Sequence, residues 1–562
     1  MKRRLTVLCA ALALALAACS GTAGESAPLA ASATPSPAVE PVTVKYGISN
    51  SWDALMPYNS VSGSNYARIV YDKIYDRLAY VHADGTLSPR AAKSWESADG
   101  GYAIVFHLDE RSAFHDGTPV TAEHWARTFE LMTDPACPTL GRGNFAGLVG
   151  TDEDGCRLEG EPFGAEAADP YTFKLTFQDP VIPEDFLLEK NREFYVLPTH
   201  LLENVDPAEL MDQALWQAPI GSGRYILKQW DKGQQVIFEA NPDYYGEAPN
   251  MKKVTVLFME EDAAFLAVKA GQADLVYTSA TYADQAPAGY SLLSCESVDN
   301  RGINLPAAPA GDGVGNDLTA DVLVRRAINL GVDRQEMIDN VLNGYGTPAY
   351  SVCDKLPWYN PASQVEYDPD EAAALLDEAG WRMADGGVRV KDGVRAELNL
   401  LYPSSDSVRQ ALAADLANQL GELGIAAAIE GVGWDTAYDR AQSEPLMWGW
   451  GAHTPMELYN IYHTIGDTGS AEYSPYASAA VDAYMDEALA CGDLEESYAL
   501  WQKAQWDGVT GVTGEGDCPW VWLVNVNHLY WVRDGLQVAE QKIHPHGHGW
   551  SIANNVDAWS WA

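Results

Sequence analysis

Basic residues are scarce in this chain: 36 lysines and arginines stand against 79 aspartates and glutamates, a formal net charge of -43. A surface of that sign repels phosphate backbones and anionic headgroups, which argues against nucleic acid and charged lipid as partners. The acids are spread along the chain rather than gathered in runs, so their first role is solubility. Beyond the N-terminus no stretch approaches ~20 apolar residues, and no membrane-spanning helix is expected there. The chain contains no Gly-x-Ser-x-Gly, His-Glu-x-x-His or Cys-x-x-Cys, and Gly221-Ser222-Gly223 lacks the Gly-Lys-Ser/Thr end of a phosphate loop. Hydrolase, redox and nucleotide-binding readings lose their usual signatures. With so many acids a carboxylate pair is always available, so a secreted hydrolase stays as the rival from another class. No cofactor is implied, and no repeat of solenoid length is visible.

What is present begins with Lys2, Arg3 and Arg4 and the apolar run Leu5 to Ala18, too short to span a membrane. Leu16-Ala17-Ala18-Cys19 resembles the lipobox of bacterial lipoproteins, in which the cysteine is diacylated and becomes the new N-terminus. That resemblance implies a signal peptide over 1–18, lipidation at Cys19, and a mature protein held at the outer face of the membrane by its lipid alone. Residues 19–41, rich in Ala, Ser, Thr and Pro, bury too little to order themselves and read as a disordered tether. Of eight cysteines, Cys9 leaves with the signal and Cys19 carries lipid. The other six suit structural disulfides in an exported protein. Proximity favours Cys137 with Cys156 and Cys491 with Cys518, leaving Cys295 with Cys353; the other pairings stay open.

The remaining chain mixes strands and helices without a strict βαβ rhythm, which predicts an α/β fold with mixed sheets. Strands are expected from Val42 to Gly47, Tyr102 to Leu108, Tyr171 to Phe177 and Ala426 to Ile429. A helix capped by Thr121 should bury Trp125, Phe129 and Met132. Others are expected over Val322 to Leu342, Asp370 to Ala379 and Ser407 to Leu423.

Several stretches carry a resemblance. Phe114-His115-Asp116-Gly117-Thr118-Pro119-Val120-Thr121-Ala122-Glu123, Pro219-Ile220-Gly221-Ser222-Gly223-Arg224-Tyr225 and Asn241-Pro242-Asp243-Tyr244-Tyr245 are three of them. Val268 to Asp274, and Val324-Arg325-Arg326-Ala327 with Asp333-Arg334 and Gly344 to Pro348, follow in order. Each is a turn, cap or packing element in its own right, with Arg325 and Arg326 expected to pair with nearby acids. Together they resemble the extracellular solute-binding proteins of family 5, which serve ABC importers of peptides and, in one branch, nickel. Arg224 departs from the family's usual proline. The resemblance implies two lobes closing on a ligand in the manner of periplasmic binding proteins of type II, with an extra subdomain. Lobe 1 would span 42–300 with an inserted subdomain over about 89–215, and lobe 2 would span 301–525. Residues 526–562 would return to lobe 1, with the chain crossing at Gly302 to Leu305 and Leu523 to Val526. It further implies a monomer that delivers an oligopeptide or dipeptide-like solute to ABC permease subunits, or alternatively a receptor for nickel or a metal chelate.

For the ligand, the stretch Met447 to His463 stands out. Family members that bind peptides carry an aspartate there for the ligand's α-amino group; this chain reads Ala452-His453-Thr454-Pro455-Met456-Glu457, leaving Glu457 as the substitute. Trp434, Tyr438, Trp448, Trp450, Tyr459 and Tyr462, with Trp520 and Trp522, offer aromatic walls. Arg142 and Arg301 are candidates for a ligand carboxylate. His453 and His463, and the cluster His544, His546 and His548, are weaker candidates for a transition metal.

Overall fold

The computed structural model describes residues 43–48, 55–58, 68–82, 85–139, 141–190, 194–451, 454–464, 473–544 and 551–562. The signal, Cys19 and the tether therefore lie outside the described residues, as do His453, His546 and His548.

Two sheets organise the molecule. In the first, Thr43–Ile48 lies parallel to both Lys253–Phe258 and Leu275–Thr278. The order runs Tyr290–Cys295, His528–Arg533, Leu275–Thr278, Thr43–Ile48, Lys253–Phe258, Gln235–Ala240, Tyr225–Asp231. His528–Arg533 comes from the end of the chain yet is an interior strand, and its nearly unbroken apolar run fits burial on both faces. The second sheet is antiparallel, in the order Gly346–Pro348, Trp520–Val526, Asn300–Asn304, Met447–Trp450. The chain passes between the sheets at 296–299 and again at 527, a few residues from the positions expected. A third, antiparallel sheet joins Ala92–Ala98, Ala103–Leu108, Thr172–Thr176 and Ala165–Asp169. The architecture is α/β with mixed sheets.

The motif stretches act on each other. Gly221 donates from its backbone N–H to His115 Nδ1 at 3.3 Å, and His115 Nε2 donates to the Gly223 carbonyl at 3.1 Å. Gly223 N–H in turn reaches the Ile74 carbonyl at 2.8 Å. The phenols of Tyr244 and Tyr245 both donate to the buried Asp76, at 3.2 and 2.5 Å. Thr121 caps Ala122–Thr133, and Trp125, Phe129 and Met132 are buried as expected.

Two expectations fail. The segment from Val322 forms two helices, Val322–Leu330 and Arg334–Val341. Gly331 is the C-cap of the first, and Asp333 caps the second by accepting from Glu336 N–H. Arg325 and Arg326 meet carbonyls rather than acids: those of Thr319, Ala320 and Asp517 for the former, and of Gly516 for the latter.

The disulfides are also corrected: Cys137, Cys156, Cys295, Cys353, Cys491 and Cys518 are all free thiols. Arg142 stands between the first two, donating to the Cys137 carbonyl and to the Cys156 sulfur. Cys353 is spent on Ser351 and Gln505 in the core. Burial pushes the thiol of Cys137 up to about 11 and those of Cys295 and Cys518 up to about 12, which suppresses the thiolate that oxidation requires.

The residues around the first sheet also touch those around the second through Gly85. Gly85 lies against Trp358, whose ring is 5.6 Å from that of Tyr498. Burial, followed by the charges of Asp185 and Glu184, pushes the Tyr498 phenol up. On the helix Pro183–Glu189, Asp185 Oδ1 is buried without a partner, and burial with Glu184 and Glu189 raises its carboxyl to about 7. A raised carboxyl favours the folded state below its ordinary value near 4, and that advantage disappears as the pH climbs through 7. Asp185→Asn should therefore stabilise the protein at pH 8 by on the order of 2–4 kcal/mol. The gain should shrink towards pH 4. Thermal melts across that range check it; an equal shift at every pH would refute the assignment.

Candidate functional site

The second sheet brings three strands together at one end. Opposite each other across the pair Asn300–Asn304 and Met447–Trp450 stand Asn300 with Trp450, Arg301 with Gly449, and Gly302 with Trp448. Gly302 is required because a side chain would run into Trp522. Gly449 is crowded for another reason. A Cβ there would overlap Arg409 Nη2 and stand 3.0 Å from Arg301 Nη1, so the two guanidinium groups occupy the space above one glycine.

Arg409 comes from the first turn of the helix Ser407–Glu422, capped by Asp406. Its Nη1 donates to Asp406 Oδ2 at 2.9 Å and its guanidinium lies 5.7 Å from the Trp434 ring. Arg301 Nη1 donates to Asp299 Oδ1 at 2.6 Å and to the Asn300 carbonyl at 2.9 Å. The Nε atoms of both arginines are buried and have no hydrogen-bond partner. Burial, then the charge of Arg301, lowers Arg409 to about 10. Two like charges held this close need counter-charge, which Asp299 and Asp406 supply.

An aromatic wall flanks the arginines. Trp434 packs on Tyr438 and Trp448, with centroids 5.8 and 6.2 Å away, and Tyr473 packs on Trp448 and Trp450 at 5.3 and 5.0 Å. Trp434 and Tyr438 are 40% and 52% exposed, and Trp450 and Tyr473 are half-buried. These four form the accessible face.

Several expected ligand contacts sit behind that face. Trp448 is buried, its indole N–H donating to Asn304 Oδ1 at 3.0 Å. Trp522 is buried and donates to the Tyr462 hydroxyl at 2.9 Å, stacked on Trp520 at 5.1 Å. Trp448, Tyr462 and Trp522 are core residues, and their bulk satisfies the lobe's interior. Arg142 is likewise removed from the carboxylate role: its guanidinium stitches its own loop through the carbonyls of Asp134 and Cys137 and the Cys156 sulfur. Tyr459 stacks on His463 at 4.1 Å, and His463 meets Asp486 at 3.1 Å, away from the arginines by sequence and by partner. Glu457 lies in the first turn of Met456–Tyr462 and is half-buried. Among the described residues no group of three or more metal-ligating side chains could hold a metal ion, His463 and His544 included.

Arg409, Asp299 and Gly449 do not stand out in the sequence. A signal for the first exists: an arginine in the first turn of a helix opposes the helix dipole, and such a local conflict marks a residue held for another purpose.

Residues 86–472 match the model of the bacterial extracellular solute-binding proteins, family 5 Middle. Protein XP55 of Streptomyces lividans is 29% identical over 504 residues, covering 88% of this chain and 85% of its own. The oligopeptide-binding protein AppA of Bacillus subtilis is 26% identical over 520 residues, 88% of this chain and 90% of its own. The solved structure of NikA from Brucella suis in complex with Fe(III)-EDTA shares the fold with a TM-score of 0.73 at 22% identity, covering 92% of this chain and all of that one. With the ordered motifs and the two-sheet architecture already described, this match over most of its length means that the chain belongs to the bacterial extracellular solute-binding proteins of family 5.

Proposed function

We propose that this solute-binding protein captures a carboxylate-bearing solute, an oligopeptide or dipeptide-like molecule, and hands it to the permease subunits of an ABC importer. The observation that carries the reading is the pair of buried guanidinium groups above Gly449, each with an unpartnered Nε, beside the open aromatic face. The carboxylate would lie between Arg301 and Arg409, and the apolar part of the solute would lie on Trp434, Tyr438, Trp450 and Tyr473. Glu457 would meet the ligand's other end.

Closure of two lobes, 42–300 with 526–562 against 301–525, would bury the solute, and the anchor would be lipid on Cys19. The solute leaves unchanged, so incubation with labelled peptides and glycans should yield no product. A chelate reading draws on the same arginines, because a metal bound by a carboxylate chelator such as that in the Brucella suis NikA complex is also an anion. Metal-stripped, tag-free protein titrated calorimetrically with a peptide pool and with Ni²⁺ separates the two. Tight peptide binding that chelator does not alter is expected. Binding of metal chelates alone, or scattering curves unchanged at saturating peptide, would overturn the peptide clamp.

A further inference from the structure

Where the chain changes sheets, three segments converge. Ser297 Oγ donates to the Val526 carbonyl at 2.6 Å, Val298 N–H to the His544 carbonyl at 2.7 Å, and His544 N–H to the Glu296 carbonyl at 2.8 Å. At their centre lie three buried side chains, Asp299, His528 and His544. His528 Nε2 is 3.2 Å from Asp299 Oδ2, His528 Nδ1 is 3.0 Å from His544 Nδ1, and His544 Nε2 is 3.0 Å from Gln541 Oε1.

Hydrogen-bond directions fix the proton count of this line. The Gln541 amide nitrogen donates to the Ala539 carbonyl at 2.8 Å and to Asn555 Oδ1 at 3.2 Å, so its oxygen faces His544 and can only accept. His544 Nε2 must then carry a hydrogen. At the other end the Asp299 carboxylate accepts, so His528 Nε2 must carry one too. Between the two Nδ1 atoms one hydrogen is needed, and whichever ring holds it has both nitrogens protonated. Three hydrogens on four nitrogens make one positive charge. The Asp299 carboxylate lies against His528 and a neutral amide oxygen against His544, so the positive charge is compensated on the His528 side of the pair.

We propose that the His528–His544 pair holds one buried proton at the chain crossing, and that His528 acts through Asp299 as the positioning residue for Arg301 in the anion subsite. Asp299 joins the two functions, taking His528 on Oδ2 and Arg301 on Oδ1. The inference rests on the anion-subsite reading given above. Among the described residues, the other ionisable groups around the pair are these. Cys295 stands opposite His528 on the adjoining strand, Glu296 is paired with Lys355 at 3.0 Å, and Glu540 and Lys542 precede His544. Asp354 is reached through Asn525 at 3.1 Å, and Arg409 with Asp406 lies beyond Arg301. A cavity of about 620 Å³, lined by residues 293–296 and 538–543, adjoins the crossing and includes Gln541, the partner of His544. Loss of the proton removes a positive charge next to Asp299, lets that carboxylate draw more fully on Arg301, and weakens the subsite. Affinity for an anionic solute therefore falls as the pH rises.

Imidazole ¹⁵N spectra of the full mature chain, titrated from pH 6 to 9, test the proton directly. One doubly protonated ring, absent in His528→Gln, is expected at pH 7; two neutral rings there would overturn the proposal. The Arg301 Nε–H signal, identified with Arg301→Lys, should move with the same midpoint, and a signal indifferent to that transition would refute the positioning role. Should His528→Gln fail to fold, the titration of the unsubstituted protein still separates one doubly protonated ring from two neutral ones. Calorimetry with trialanine adds the coupling: affinity should fall about tenfold across the transition, and hardly at all in His528→Gln. No binding of trialanine at any pH would count against the subsite reading alone, with the ring and guanidinium spectra deciding the proton.

Discussion

Arg409→Met should lower affinity for the natural solute at least about 100-fold and leave the melting temperature unchanged or slightly higher. A charged hydrogen bond in a desolvated site, once one partner is removed, costs about 2–5 kcal/mol, and 100-fold corresponds to about 2.7 kcal/mol. Stability should not follow affinity down, because this cation is a burden to the empty protein. It sits at a helix N-terminus against the dipole, its charged form is disfavoured by burial and by Arg301, and its Nε has no partner. Methionine keeps much of the apolar stem that lies along Trp434 while removing the repulsion. The measurement is calorimetry with the solute identified by mass spectrometry of purified protein, beside thermal melts of both forms. Affinity within about threefold of the unsubstituted protein would show that the carboxylate is received elsewhere.

That separation of binding from stability explains which parts of the site are legible in the sequence. Scaffold residues announce themselves through local chemistry: Thr121 as a cap, Asp116-Gly117 as a turn, and the glycines of 221–223 as a close approach. The first two are legible because their cause lies within a few residues; the glycines announce a close approach but not its partner, Ile74. Trp448, Tyr462 and Trp522 mislead because an aromatic cluster looks alike whether it faces a ligand or fills a lobe. Only the hydrogen bonds to Asn304 and between Trp522 and Tyr462 reveal that these three face inward. Arg301 is legible as a candidate, but its partner Arg409 lies more than a hundred positions away, and their meeting depends on Gly449 in a third segment. A juxtaposition made by three distant strands and helices has no period or spacing to betray it.

Much the same holds for the helix break at Gly331 and for the arginines of the Val324–Arg334 stretch. Amphipathic spacing continues across residues 322–342, so periodicity alone reads one helix. At the break, Asp333 N–H donates to Gln419 Oε1 of a different helix at 2.7 Å. Arg325, Arg326 and Arg334 satisfy backbone carbonyls of other segments, including those of Asp517, Gly516, Ala349 and Trp522. These are tertiary facts, and the nearest acids in sequence are the wrong guide.

Gly221→Ala should prevent the protein from accumulating in folded form, with a cost of about 4 kcal/mol or more. Its φ is not in the left-handed region, so the argument is space rather than strain. A methyl group at 221 would overlap the Ile74 carbonyl oxygen and stand 2.7 Å from the carbonyl carbon and 2.9 Å from Cγ2. Backbone cannot rotate away as a side-chain tip can, so the Gly221–Gly223 segment would have to lift from the end of the helix Arg68–Ile74. Lifting it breaks the Gly223 N–H bond to Ile74 and the two contacts that clamp His115 between Gly221 and Gly223. The loss would spread from one methyl group to the joint between two motif stretches. Gly233→Ala is the control: that glycine has φ of 70° with nothing within 4 Å of the added carbon. Its cost is conformational only, about 1 kcal/mol. Soluble yield and thermal melts of the two variants side by side test the distinction, and equal losses would mean that close approach at 221 does not hold the fold together.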